Sequence, residues 1–295
     1  MTSFAALYFA ILEHEGQRDL YEAVLMPWHA TAASIIDYIA PYGSAAAMQW
    51  RLWTPERNPH DQLQEGLWEL YALSRVSDVL LPFQPPSGDP AEWAGPEITA
   101  EERRMFFGSL GMTPVRQQAF CPFFHEVVEV EPAPDDDEPI SVIEEVWTGF
   151  MLDQLLICRS GVRVRGGRRH IRKEIAERST LYWTFRRAAR PVQDLSHGWG
   201  SNSQWRTRFR RDYVDADHLH YNVDGDFHVD GTPVDDPARA RTDPNYERQN
   251  LSTDQHRELL TNRCFLRSPV ADGDLWPYDD TFRERWPVAD DRWPE

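Results

Sequence analysis

Between Pro82 and Pro96 the chain also carries Pro85, Pro86 and Pro90, with Gly88 and Gly95 among them. Proline removes an amide donor and fixes φ, so neither a helix interior nor a central strand runs through such a stretch. The stretch is then either a linker between two domains or a long surface connection within one continuous domain. Residues 82–98 read as a connection, residues 1–81 as a mainly helical N-terminal region and residues 99–295 as an α+β region.

The hydrophobic period differs on the two sides. Phe4, Leu7, Tyr8, Ile11 and Leu12 recur at helical spacing, although ALYFAIL also fits a buried strand. Asp19–Leu25 and His29–Ala40 read as helices separated by a break at Pro27, the second with Ile35, Ile36, Tyr38 and Ile39 inward. Leu63, Leu67, Leu70, Tyr71 and Leu73 mark a further helix starting near Pro59.

After the connection, Thr99 followed three residues later by Glu102 makes a capping box, opening a helix to Leu110 that Gly111 stops. The period then changes to alternation. Phe123–Val130, Ile140–Trp147, Leu155–Cys158 and Val162–Arg165 read as four successive strands of an antiparallel meander. Arg168–Arg178 reads as a basic helix anchored by Ile171 and Ile175, and Leu181–Phe185, Arg206–Tyr213 and Leu219–Val223 as strands. Ser252 with Gln255 caps a helix to about Cys264. The tail is irregular: Trp276, Trp286 and Trp293 each precede a proline, the composition of a strap across its own domain. The fold class expected is α+β, a helical N-terminal part followed by an antiparallel sheet with flanking helices.

The charge is distributed unevenly. The whole chain carries −17, yet residues 159–212 hold 15 basic against 4 acidic residues. An acidic surface repels nucleic acid and anionic membrane, so neither is expected as a partner outside that one stretch. Within it, arginines interleave with Tyr182, Trp183, Phe185, Trp199, Trp205 and Phe209, a composition suited to single-strand nucleic acid. Internal ion pairing explains it as well. Lys173 is the only lysine, which GC-rich codon usage explains.

Cys121, Cys158 and Cys264 form no CxxC spacing, so reduced thiols in a cytoplasmic setting are expected. Cys121 with His125 four residues on reads as a buried structural thiol rather than a nucleophile. The apolar start of the chain meets Glu13 and Glu15 too early for a membrane span.

Chemistry-bearing residues concentrate between His197 and Asp230. In HGWGSNSQWR, two glycines permit tight turns and two tryptophans supply anchors, so that His197, Asn202, Gln204 and Arg206, together with Arg210, would form a fixed polar set for catalysis or recognition. His218 and His220 lie on one face of a strand. A two-residue turn at Asp224-Gly225 would place Asn222 opposite Phe227. A three-residue turn would place Asn222 opposite His228 and His220 opposite Asp230, gathering His218, His220, His228 and Asp230 as a zinc or iron site. The Asp-Gly dipeptide favours the two-residue turn, so no cofactor is the leading expectation and zinc or iron the alternative.

Two functions follow as expectations. The first is an acidic intracellular binding protein, an inhibitor or immunity-like partner of a basic protein, because charge and aromatic richness occur without any assembled catalytic signature. The alternative is a hydrolase, metal-dependent or acting on an anionic substrate, with its site in residues 197–230. Nucleic-acid binding through residues 159–211 is a weaker third.

Overall fold

The structure is a computed structural model, and it describes residues 2–14, 19–52, 59–81, 97–177, 209–235, 251–270 and 279–286. The Pro-rich connection from 82 to 96 and the strand expected at Leu181–Phe185 lie outside these residues. The chain is α+β and forms two compact units. Unit 1 draws on Met1–Val115 and Trp147–Cys158; unit 2 draws on Arg116–Val146, Arg159–Trp183 and Arg210–Glu295.

Unit 1 is helical with a small sheet. ALYFAIL resolves as helix α1, Phe4–Glu13, because Ser3 caps it with its side chain on the Ala6 amide. Phe4, Leu7, Tyr8 and Ile11 bury one face of α1 against the long helix α4, Pro59–Val79. Pro27 does not break the chain. A π-helical turn, Tyr21–Leu25, runs straight into α2, Met26–His29, with Pro27 inside the continuous run, and the break comes instead between His29 and Ala33. Helix α3, Ala33–Ile39, buries fully only Ile39 of its four expected inward residues.

Two buried arginines, Arg75 and Arg103, are built into this apolar core. Arg75 and Asp78, both 1% exposed, pair at 2.8 Å within α4. The capping box of α5, Ala100–Ser109, forms as expected: Thr99 Oγ1 accepts from the Glu102 amide, and Glu102 accepts from the Thr99 amide at 2.7 Å. From α5, Arg103 is sandwiched between the rings of Phe107 and Phe150 at 5.0 and 4.9 Å and donates to the Thr148 carbonyl. Strands β1, Thr113–Pro114, β4, Phe150–Leu152, and β5, Leu155–Cys158, pair in that order.

Unit 2 holds two groups of strands. The first has the order β2-β6-β3, from β2, His125–Pro132, β3, Ser141–Trp147, and β6, Ser160–Gly166. This corrects the expected meander. β2 pairs parallel with β6, and Leu155–Cys158 is not in this sheet at all. The segment TGFML, expected as a connection, supplies β4 and diverts the chain between β3 and β6. The parallel pair has Val127, Val130, Val162 and Val164 on its buried side and Glu129, Glu131, Arg163 and Arg165 on its outer side. The basic helix expected at Arg168–Arg178 shortens to α6, Lys173–Ala176.

The second group has the order β7-β8-β10-β9, from β7, Tyr213–Val214, β8, His218–Tyr221, β9, Phe227–His228, and β10, Asp280–Arg285. β10 was not expected from the sequence. Helix α7, Thr253–Asn262, starts on the expected Ser252–Gln255 capping box. Just after β10, Trp286 packs its ring on Phe124 at 5.6 Å, and its amide donates to the Asp217 carbonyl. That one Trp-Pro step therefore does strap its own unit; Trp276 and Trp293 lie outside the described residues. No helix among the described residues is long and apolar enough to cross a membrane.

Candidate functional site

The β7–β8 hairpin is closed by Asp215-Ala216-Asp217. Asp215 Oδ1 accepts from the amides of Asp217 and His218 at 2.9 and 2.7 Å, so the side chain itself builds the turn. Its other oxygen, Oδ2, meets His220 Nε2 at 2.7 Å. Burial raises the Asp215 pKa, but the His220 contact and the two amides lower it more, and the net position is below the usual carboxylate range.

Strand alternation does the rest. Leu219 and Tyr221 face the core, which leaves His218 and His220 together on the opposite, half-buried face with ring centres 5.8 Å apart. One ligand atom from each of Asp215, His218 and His220 lies within 4.8 Å of the others. β10 brings two cations to this face, since Arg283 is registered opposite His220 and Arg285 opposite His218. Arg283 Nη2 donates to His218 Nδ1 at 2.8 Å.

The four-residue set expected for metal is divided. Residues 218–228 do not form a β8–β9 hairpin in either register, because β10 lies between the two strands and pairs antiparallel with β8 and parallel with β9. Two strand spacings, about 9–10 Å, therefore separate the backbones carrying His220 and His228. Asn222 accounts for the divergence. It adopts φ 50, its amide donates to Asp212 Oδ1, and its side chain donates to the Asp280 carbonyl at 2.6 Å. The longer β10 then offers β8 more antiparallel partners than a two-residue β9 can. Asp230 is occupied locally, accepting from the amide and hydroxyl of Thr232 at 2.8 and 2.6 Å.

Of the polar set expected for catalysis, His197, Asn202, Gln204 and Arg206 lie outside the described residues. Arg210 is buried: Nε donates to Asp212 Oδ1 at 2.9 Å and Nη2 to the Leu260 carbonyl at 2.8 Å. It belongs to a wider buried network. Arg211 forks onto Asp224 and donates to the Tyr213 hydroxyl, and Arg159 donates to the Phe123 carbonyl at 3.0 Å. Burial, then the neighbouring Arg210, push Arg159 down to about 10, while Asp212 acts in the opposite sense; the group stays cationic at neutral pH. Nearby, His256 Nδ1 and Asp280 Oδ2 are 2.7 Å apart and both residues are buried. A buried guanidinium so held is a structural post for the sheet and has no open face for a substrate.

The Cys121–His125 pair does not assemble a nucleophile. The Cys121 amide, not its thiol, donates to His125 Nδ1 at 3.1 Å, and Nε2 meets the Gln117 carbonyl. Burial pushes the thiol up to about 11 and the imidazole down to about 4. At neutral pH that is a protonated thiol beside a neutral ring, the opposite of an activated pair.

Comparison with known proteins gives no match: no family model, no curated protein and no solved structure aligns significantly with this chain.

Beyond the residues expected from sequence, unit 2 carries an open cleft of about 570 Å³ lined by Pro122, Arg257, Glu258, Arg267, Ser268 and Glu284 among others. Glu258 is already saturated, because its carboxylate clamps the consecutive amides of Leu266, Arg267 and Ser268. The candidate side chain that sequence reasoning missed on the β7–β8 hairpin is Asp215. Its signal was present: an aspartate three residues before a histidine, in a short run between strands, is the residue type that closes an Asx turn.

Proposed function

We propose that the protein is a non-catalytic binding protein whose acidic surface recognises a basic protein. The observation that carries this reading is where the arginines of the basic stretch go. Arg163 bridges Glu129 and Glu144, Arg165 bridges Glu131 and Glu138, and Arg168 and Arg169 pair with Asp136 and Asp137. Arg159, Arg210 and Arg211 are buried with Asp212 and Asp224. Among the described residues, these seven arginines of the segment are thus spent on the protein's own carboxylates. The remaining balance of −17 belongs to the molecule as a whole, where it steers a cationic partner and repels anionic ones. At the seven paired arginines a phosphate would have to displace a carboxylate already in place, which favours the protein-partner reading over nucleic-acid binding there; the aromatic residues 182–205 of that stretch lie outside the described residues.

The test is affinity capture at low ionic strength followed by calorimetry with the purified partner. A stoichiometric complex with a basic protein, weakening steeply as salt rises, is expected. No stoichiometric partner, or a complex indifferent to salt, overturns the reading.

A further inference from the structure

We propose that Asp215, His218 and His220 form a binding site for a divalent transition-metal ion of the zinc type, and that Arg283 competes with the metal for it. The proposal does not depend on the partner-binding reading. Two imidazoles and one carboxylate are borderline donors that select zinc, cobalt, nickel or iron over magnesium and calcium. Three protein ligands also leave a coordination position for water, the arrangement of an open rather than a closed zinc site.

The geometry needs little change. Ligand bonds of about 2.0–2.2 Å place the donor atoms of one tetrahedral shell roughly 3.3–3.5 Å apart. Here His220 Nε2 is 2.7 Å from Asp215 Oδ2, and His218 Nδ1 is 3.8 Å from Asp215 Oδ1. One ligand atom from each of the three residues lies within 4.8 Å of the others, so the set has to contract only modestly to close on an ion. The backbone is already set, because the Asx turn fixes Asp215 and the strand fixes both histidines on one face. Side-chain exposures of 29%, 28% and 15% for Asp215, His218 and His220 leave an entry path from solvent.

Arg283 gives the site a second state. Its guanidinium donates to His218 Nδ1, so that nitrogen presents a lone pair, the same pair a metal would take. One excludes the other. Arg283 is exposed and can turn to solvent when metal enters, but its charge, together with that of Arg285 opposite His218, opposes a second cation on this face. Removing that charge should therefore tighten metal binding.

The test uses the full chain and Co(II) as the probe, followed by displacement with Zn(II). Wild type is expected to develop the intense visible bands of four-coordinate Co(II), and Zn(II) should raise its Tm. His218→Ala and His220→Gln should each weaken binding by about tenfold or more. Asp215→Asn should weaken it, Arg283→Gln should strengthen it, and His228→Ala on β9 should leave it unchanged. Circular dichroism of each metal-free variant establishes that the fold is retained. Absence of the bands in wild type overturns the proposal. So does equal affinity in the two histidine variants, or a loss in His228→Ala as large as theirs.

Discussion

Arg211 and Asp224 meet in a two-pronged hydrogen bond, Nε to Oδ2 at 2.6 Å and Nη2 to Oδ1, with the arginine fully buried and the aspartate 19% exposed. The pair joins the start of β7 to the turn after β8, and the Arg211 carbonyl accepts from the Val223 amide alongside it. Burial lowers the Arg211 pKa, but Asp224 and Tyr213 raise it more, so the guanidinium stays charged. Removing one partner strands that charge. Asp224→Ala should cost about 3 kcal/mol or more, read as a fall in the urea midpoint at unchanged m-value. Arg211→Lys should lose a large part of the same amount, because an ammonium cannot span both oxygens. A midpoint within error of wild type in Asp224→Ala would show that the fork contributes nothing net.

His125 makes stability depend on acid. Its folded pKa, about 4, lies below the ordinary value of 6.5, chiefly through burial. A base depressed in the folded state binds fewer protons there than in the unfolded chain, so its contribution is fully present above about pH 6.5 and disappears as pH falls toward the folded value. Between neutral pH and about pH 4.5 the loss should amount to roughly 2–3 kcal/mol. Denaturant unfolding at both pH values, in wild type and His125→Gln, isolates it. The variant should show a shallower pH dependence, and parallel curves would refute the assignment.

Gly66, on α4, has no room for a methyl group, because a Cβ there would overlap the hydroxyl end of the Tyr42 side chain. Gly66→Ala should destabilise unit 1 by about 1–3 kcal/mol through overpacking, despite the gain in helix propensity that alanine normally brings. Combining it with Tyr42→Leu should recover part of the loss. A double-mutant cycle of thermal unfolding measures the coupling, and strictly additive costs would mean the two sites do not meet.

The Thr99 capping box is a local device, and its worth should be local too. Thr99→Ala removes the acceptor for the Glu102 amide and should cost about 1 kcal/mol, whereas Thr99→Asp should retain most of the stability. The readout is the thermal midpoint of both variants; a fully stable Thr99→Ala would place the start of α5 under tertiary control instead.

What could be read from sequence alone were the features that depend on a few neighbouring residues. The capping boxes at Thr99 and Ser252 form where expected, because side chain and amide are three residues apart and need no third party. Helix α4 and the strands around Val127, Val142, Ile157 and Val164 were legible from their period. The facing of His218 and His220 followed from strand alternation. Tertiary structure decided which strands pair and what the charges do. The parallel β2–β6 register, the insertion of β10 between β8 and β9, and the burial of Arg159, Arg210 and Arg211 each join residues far apart in the chain. Such pairings are chosen by competition among distant partners for buried amides and carboxylates, and no local period reports the outcome of that competition. Asp215 shows both sides at once: its turn chemistry was written in the sequence, but its second oxygen reached His220 only after β7 and β8 had folded against each other.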